Sequence, residues 1–477
     1  MKKTAIILSL LFLALSASAT NNAEQKEGKT EVKQHLQNHF KLYGFIRNYF
    51  IFDSRDSKAG TGDLFYYLPL DNKWNTNDLN NPAREDLNAS PNFRFLALTS
   101  RVGLDVSGYY VNNVHFGAKV EADFYAGLSS ASSVNGLSGN TKISGTAQMR
   151  LRQAYATVTW KDLPMNGEQT AQVGLKIGQA WHPMGADMPH VFSLEAGAPF
   201  GPFSRTPQVT MDASLGKNWI LSASAIWQMQ YQSSGPSGSS AAYMKYGCTP
   251  EIYAGLTFKA KGFLARTGVD VLSIKPRNIG KNKAGLDVHV KDRKTSVLGY
   301  VYAQYNYKSF SVKAKTTFGQ GGEHMNLMSG YAVVNKDDPM NWEYRSLRNS
   351  STWMSFSVGK KWQGVLFAGY VKNLGFDYKL ETANLITNPI PKSDVYFCGN
   401  GSSNINQLYR INPQLLYNFH KFTVGLEYQW TAVEYGKYAI KDINGVSVEC
   451  VTPRGLATDG LHWVGNHRVN MMVKFTF

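Results

Sequence analysis

Asn466-His467-Arg468-Val469-Asn470-Met471-Met472-Val473-Lys474-Phe475-Thr476-Phe477 closes the chain. Val469, Met471, Val473, Phe475 and Phe477 share one parity; Arg468, Asn470, Lys474 and Thr476 share the other. A period of two with one oily and one wet face is a strand. A terminal strand left unpaired exposes backbone donors and acceptors and invites aggregation, so it must find a partner. In a closed barrel that partner is the first strand. An ordinary last strand of a soluble sandwich is the competing reading.

Working outward, the same alternation recurs along the chain. Segments at 40–52, 98–107, 114–126, 149–159, 171–179, 208–216, 219–231, 252–260, 263–272, 297–308, 310–320, 353–362, 365–373, 408–419, 422–432 and 467–477 make sixteen. Most are close to the ~9–11 residues that a tilted strand needs to cross a bilayer. In 422–432 the oily face carries Phe422, Val424, Leu426, Tyr428 and Trp430 against Thr423, Glu427 and Gln429. Long polar links alternate with short ones such as Lys217-Asn218, Lys261-Gly262, Ser309 and Gln363-Gly364. Long loops at one end, tight turns at the other and an even strand count predict an all-β fold, a transmembrane antiparallel β-barrel with both termini at the short-turn end. A sandwich alternates too, but it does not need long loops at one end only. Composition agrees: 43% hydrophobic residues is little for a large soluble core, while 26 Tyr, 25 Phe and 10 Trp suit two aromatic girdles. Girdle candidates are Trp160, Trp219, Tyr231, Trp362, Phe419 and Trp430.

The barrel is expected to occupy 40–477. Met1-Lys2-Lys3, an apolar run through Leu15 and Ala17-Ser18-Ala19 read as a secretory signal peptide over 1–19, cut before Thr20. Residues 20–39 read as a polar periplasmic lead-in. Two places resist the pattern. Pro413 inside 408–419 removes a ladder hydrogen bond and predicts a bulge. Arg150 and Arg152 share a face with Ala154 and Ala156, which a register change near Ala154 resolves.

Charge points to the contents of the lumen. The net charge of +16 on an exported chain suggests anionic solutes or lipid headgroups, not nucleic acid. Lumen-parity bases, including Lys119, Lys176, Arg266, Lys313, Lys315, Lys372, Arg410, Arg468 and Lys474, outnumber acids such as Asp105, Glu121, Asp123 and Glu427. A basic lumen predicts a diffusion pore with anion preference. Link 180–207 is rich in Gly, Pro and apolar residues, with Asp187 and Glu195 its only acids. It is expected to pack inside the barrel; a surface lid over a neighbouring subunit or lipopolysaccharide is the alternative. No Walker loop, HExxH or CxxC appears, so no enzyme, metal site or cofactor is expected. Cys398 and Cys450 fall in adjacent long links, which makes them a candidate disulfide; Cys248 is the third cysteine. The other function classes left open are a barrel-anchored adhesin or structural protein and a substrate-specific channel.

The terminal alternation ending on Phe475 and Phe477 resembles the C-terminal signal that the barrel assembly machinery reads in Gram-negative outer-membrane proteins. Arg152-Gln153-Ala154-Tyr155 followed by Val173-Gly174-Leu175-Lys176-Ile177-Gly178-Gln179 resembles the strand pair before the inward-folded third loop of general diffusion porins. The aromatic-rich loops look like porins of the Bacteroidota lineage. The resemblance implies a sixteen-stranded homotrimer in the outer membrane that passes small hydrophilic solutes. It also implies a constriction in which acids of the third loop, here Asp187 and Glu195, face early-strand arginines, here Arg47, Arg101, Arg150 and Arg152.

Overall fold

The computed structural model describes residues 39–60, 65–96, 99–125, 148–164, 170–376 and 390–477. The signal peptide 1–19 and all of the lead-in except His39 lie outside the described residues.

Sixteen antiparallel traverses close into one barrel. In chain order their strands are β1 Phe40–Asp53, β2 Arg101–Val111, β3 Val114–Tyr125, β4 Gln148–Pro164, β5 Thr170–Trp181, β6 Arg205–Leu215, β7 Trp219–Ile226 and β8 Glu251–Ala260. The second half runs β9 Phe263–Ile274, β10 Lys294–Tyr307, β11 Phe310–Gln320, β12 Arg348–Gly359, β13 Trp362–Gly375, β14 Ile405–Phe419, β15 Phe422–Lys437 and β16 Asp459–Thr476. The expected partner of the terminal strand is the observed one: β1 pairs with β16 from Phe45↔Thr476 to Asp53↔Arg468.

The second traverse is longer than the expected 98–107 and is interrupted. Asn92–Leu96 pairs with the upper half of β1, and β2 pairs with its lower half. At the break, side chains stand in for the ladder. The Arg47 N–H donates to Ser100 Oγ at 3.2 Å, and Thr99 Oγ1 donates to the Arg47 carbonyl at 2.9 Å.

Alternation sorts the faces as expected. Phe50, Phe52, Phe116, Val120, Leu366, Tyr370, Val424 and Leu426 are exposed on the outside, while Tyr49, Glu121, Phe367 and Glu427 are buried within. An apolar outer face is what hydrocarbon requires, since a charge there costs about 2–4 kcal/mol at mid-membrane.

The register change expected near Ala154 is a bulge at Arg152. Glu121 pairs with Gln153 and Ala122 with Leu151, so Arg152 is the extra residue. The bulge keeps Met149 and Leu151 outside and Ala154 and Ala156 outside, while Arg150, Arg152 and Gln153 all reach the lumen. Gln179 Nε2 holds it, donating to the Arg152 carbonyl at 3.0 Å.

Five expectations are corrected. Pro413 causes no bulge: the β14–β15 ladder skips Asn412 and Pro413 and resumes in the same register, Ile411↔Trp430 then Gln414↔Glu427. The turn placed at Gln363-Gly364 lies at Lys360-Lys361, because Gly359 takes φ 101° there and β13 starts at Trp362. Tyr231 is no girdle residue; its hydroxyl lies 3.1 Å from that of Tyr67 within the loop core. Lys372 shares the outward parity of Leu366 and Tyr370, and its Nζ donates to Asn406 Oδ1 at 2.8 Å. The candidate disulfide is also absent: Cys398 and Cys450 are separate buried thiols and Cys248 is an exposed one. Cys398 Sγ sits 4.0 Å from Asn326 Oδ1, whereas Cys450 lies in a small outer sheet.

The last residue completes the closure. Phe477 N–H donates to the Gly44 carbonyl at 3.0 Å, and Gly44 N–H donates back at 3.3 Å. The Phe477 ring covers Gly44 so closely that a Cβ there would meet it at 2.6 Å. Deleting Phe477 removes both bonds and the ring, and is expected to lower the fraction of heat-resistant folded barrel on unheated gels severalfold. Gly44→Val, which expels the ring, is expected to destabilise the barrel by about 1–3 kcal/mol in thermal unfolding.

Candidate functional site

The link after β5 does pack inside the barrel. From His182 to Ser204 nearly every residue is buried or half-buried, among them Met184, Phe192, Glu195, Ala198, Phe200 and Phe203. Inside a barrel such a segment needs donors for its carbonyls, and the wall supplies them. Lys315 Nζ donates to the carbonyls of Met184 and Asp187, both at 2.7 Å, and Lys313 Nζ to that of Met188 at 3.2 Å. Tyr49 hydroxyl donates to the Phe192 carbonyl, and Phe192 N–H donates to Gln414 Oε1 at 3.2 Å. His190 N–H donates to Ser355 Oγ at 3.1 Å.

Two strand glycines seat the loop's aromatic rings. A Cβ on Gly369 of β13 would come within 2.4 Å of Phe200, and one on Gly425 of β15 within 2.9 Å of Phe192. Both glycines face the lumen, and only a bare backbone lets the rings lie that close.

The two loop acids are bound, but not to the expected arginines. Asp187 takes a bidentate contact from Arg266 of β9 at 2.7 and 2.8 Å. Glu195 Oε1 accepts from Arg468 at 3.0 Å, Gln429 at 3.1 Å and Arg410 at 3.4 Å. These bases, on β9, β14 and β16, stand where the loop lands, so they capture its carboxylates first. Lys313, Lys315 and Arg410, read as lumen bases, are therefore consumed as anchors of the loop. Lys119 and Lys176 lie on the lumen parity nearer the short turns, Lys119 beside Asp105 at 3.1 Å and Lys176 over the Tyr155 ring at 5.6 Å.

Arg47, Arg101, Arg150 and Arg152 do come together, with acids of their own wall. Arg152 binds Glu121 at 2.9 Å and Asp123 at 2.5 Å; Arg150 binds Asp123 at 2.9 Å; Arg101 lies 3.6 Å from Glu121. Arg47 has no ion pair among the described residues and lies 4.7 Å over the Phe45 ring. A fifth guanidinium, Arg205, sits 4.8 Å over Trp181. It was hidden from sequence reading because it falls in the expected link, whereas it opens β6.

Between this wall and the loop lies a gap of about 200 Å³, lined by the five arginines, Asp123, Trp181 and the loop side chains Met188, Val191, Phe192, Leu194 and Ala196. The expected acid-against-base field is thus corrected: one side of the gap is guanidinium, the other is apolar. Inward packing is also not confined to the third long link. The hairpin Ser57–Gly60 with Phe65–Pro69 reaches in as well, Arg410 donating to the Tyr67 carbonyl at 2.6 Å and Tyr435 hydroxyl to that of Pro69 at 2.7 Å.

At the root of the third loop, His182, Glu251 and Asp270 are close enough to be considered as metal ligands. His182 Nδ1 accepts the Met184 N–H at 3.2 Å, so Nε2 carries the ring proton and donates to Glu251 Oε1 at 3.1 Å. His324 Nε2 is 2.8 Å from the same oxygen. That tautomer leaves His182 no lone pair for an ion, and the cluster acts as a hydrogen-bonded latch tying loop to β8.

By fold the chain is a porin-type barrel with a constriction loop. No known protein family and no curated protein matches the chain. Among solved structures it is similar to the outer membrane channel DcaP of Acinetobacter baumannii, at 17% identity and TM-score 0.57, over 92% of this chain and 97% of that one. A weaker likeness is to OmpT, an outer membrane protein of Vibrio cholerae, at 9% identity, TM-score 0.48, 92% and 97% coverage. The anion-selective porin from Comamonas acidovorans matches at 9% identity, TM-score 0.47, 92% and 99% coverage. At such identities what is shared is the fold.

Two outcomes test the anchoring. Arg410→Met leaves Glu195 with one guanidinium and is expected to weaken loop docking by about 3–5 kcal/mol, read as faster hydrogen–deuterium exchange over 182–204 with the barrel strands unchanged. Burial, with the Lys313 ammonium beside it, pushes the His190 imidazole down from 6.5 to about 4. A released loop takes up that proton more readily than a docked one, so docking is strongest above pH 6.5 and weakens as pH falls from there towards about 4. Rate-corrected exchange over the same loop is expected to show this dependence, and His190→Gln to remove it.

Proposed function

We propose that the protein is an outer-membrane porin through which small hydrophilic solutes diffuse passively, with a preference for anions. The observation that carries this reading is the gap beside the third loop, where Arg47, Arg101, Arg150, Arg152 and Arg205 stand with Glu121 and Asp123 as their counter-charges among the described residues. Five guanidiniums against two carboxylates, between low-dielectric walls, raise the local concentration of anions. Asp187 and Glu195 do not offset this, since each is bound to a base elsewhere. The apolar outer face supports a bilayer location, and the pairing of Phe477 with Gly44 supports reading Phe475 and Phe477 as an assembly signal. Cleavage of a signal peptide over 1–19 and assembly as a homotrimer belong to this proposal; the trimer is supported by fold likeness alone. No step calls for a cofactor.

Planar-bilayer recording of the purified protein tests the reading. Stable conductance steps and an anion-directed reversal potential in a KCl gradient are expected. Absence of steps would leave the barrel as an anchor for a surface protein. In the double variant Arg47→Ser/Arg101→Ser the anion-to-cation permeability ratio is expected to fall roughly severalfold, with folded yield unchanged.

A further inference from the structure

The short-turn end carries a charge pattern that permeation does not use. Lys217 lies between β6 and β7, Lys261 between β8 and β9, Lys308 between β10 and β11, Lys360 and Lys361 between β12 and β13, and Lys421 between β14 and β15, all exposed. Lys161 lies near the end of β4, next to Asp162, and Lys41 near the start of β1. The Asn112-Asn113 turn has no lysine, nor has the 165–169 link, which carries Glu168 and lies outside the described residues.

None of these lysines has an ion pair among the described residues. At the long-loop end some cations are matched, Lys281 with Asp287 at 2.9 Å, Lys336 with Asp394 at 2.6 Å and Lys392 with Glu449 at 2.7 Å, while others such as Lys283 and Lys441 have no ion pair among the described residues. The short-turn cations are all left for something outside the chain.

Their depth says what that is. A belt of rings lies against the turns: Trp219 stacks near Phe258 at 4.8 Å, Trp362 near Tyr417 at 4.7 Å and Phe422 near Phe475 at 4.9 Å. Trp and Tyr settle at the headgroup boundary, so ammonium groups one step beyond them sit at the level of lipid phosphate. Lys308 and Lys361 reach over Tyr307 and Tyr417 at 5.2 and 5.7 Å, tying the two layers together. The lysines are spread around the circumference, which suits an annulus of lipid; a compact protein covers only an arc.

We infer that the short-turn rim binds the phosphate headgroups of anionic glycerophospholipids in the periplasmic leaflet. This rests on the proposed outer-membrane location with the short turns inward.

The test uses the full barrel in nanodiscs of phosphatidylethanolamine with or without phosphatidylglycerol, with retained lipids counted by native mass spectrometry. The wild type is expected to enrich phosphatidylglycerol, and rising NaCl to erase the enrichment. The triple variant Lys217→Gln/Lys308→Gln/Lys361→Gln is expected to lose roughly fivefold or more of it. The control Lys281→Gln/Lys336→Gln/Lys392→Gln, with the same charge removed from the other rim, is expected to keep it. Equal enrichment in both variants overturns the inference. So does lysine-dependent binding of purified peptidoglycan without any lipid preference. An epitope inserted after Asn218 and detected on intact cells would instead overturn the orientation, leaving the nanodisc result as a property of the rim alone.

Discussion

One buried carboxylate holds the interior together. Glu195 is 1% exposed, and a charge so placed survives only if it is matched and hydrogen-bonded. Its partners come from three strands, Arg410 on β14, Gln429 on β15 and Arg468 on β16. Arg468 also donates to Asp53 of β1 at 2.8 Å, and Asp53 takes Arg94 at 3.1 Å. The chain of charges thus crosses the seam where the last strand meets the first. Loop docking and barrel closure are coupled through the same few groups, which hold the loop against β14–β16, with the arginine-lined gap towards β1–β6.

The strand plan was legible because a barrel wall repeats one simple rule, oily out and wet in. Where the rule is carried by long side chains, as in 422–432, strand and facing are read directly. Legibility fails where backbone does the deciding. Gly359, not Gly364, makes the turn after β12, and both look alike in sequence. Pro413 costs one ladder bond, yet the wall absorbs it without a shift because neighbours on both sides remain in register. The interrupted second traverse was blurred by Thr99 and Ser100, whose hydroxyls replace ladder bonds.

The candidate site was legible in its parts and not in its pairing. That Arg47, Arg101, Arg150 and Arg152 share a wall follows from parity. That Asp187 and Glu195 ignore them does not, because the landing place of a loop depends on contacts made across the lumen. Phe200 over Gly369 and Phe192 over Gly425 illustrate this. A lumen-facing glycine in a strand is a weak signal alone, and only the ring above gives it meaning. The latch of His182, Glu251 and His324 joins residues far apart in sequence, and no spacing announces it.

The bulge at Arg152 bears on how this wall can change over generations. A strand that loses one residue turns its remaining side chains inside out on one flank of the gap. At this bulge, however, the strand carries a spare residue: loss of Arg152 would restore a regular ladder with Met149 and Leu151 still outside and Arg150 still within. This stretch can therefore shorten by that one residue without inverting the wall. The cost would be one guanidinium, and the other arginines would keep their facing.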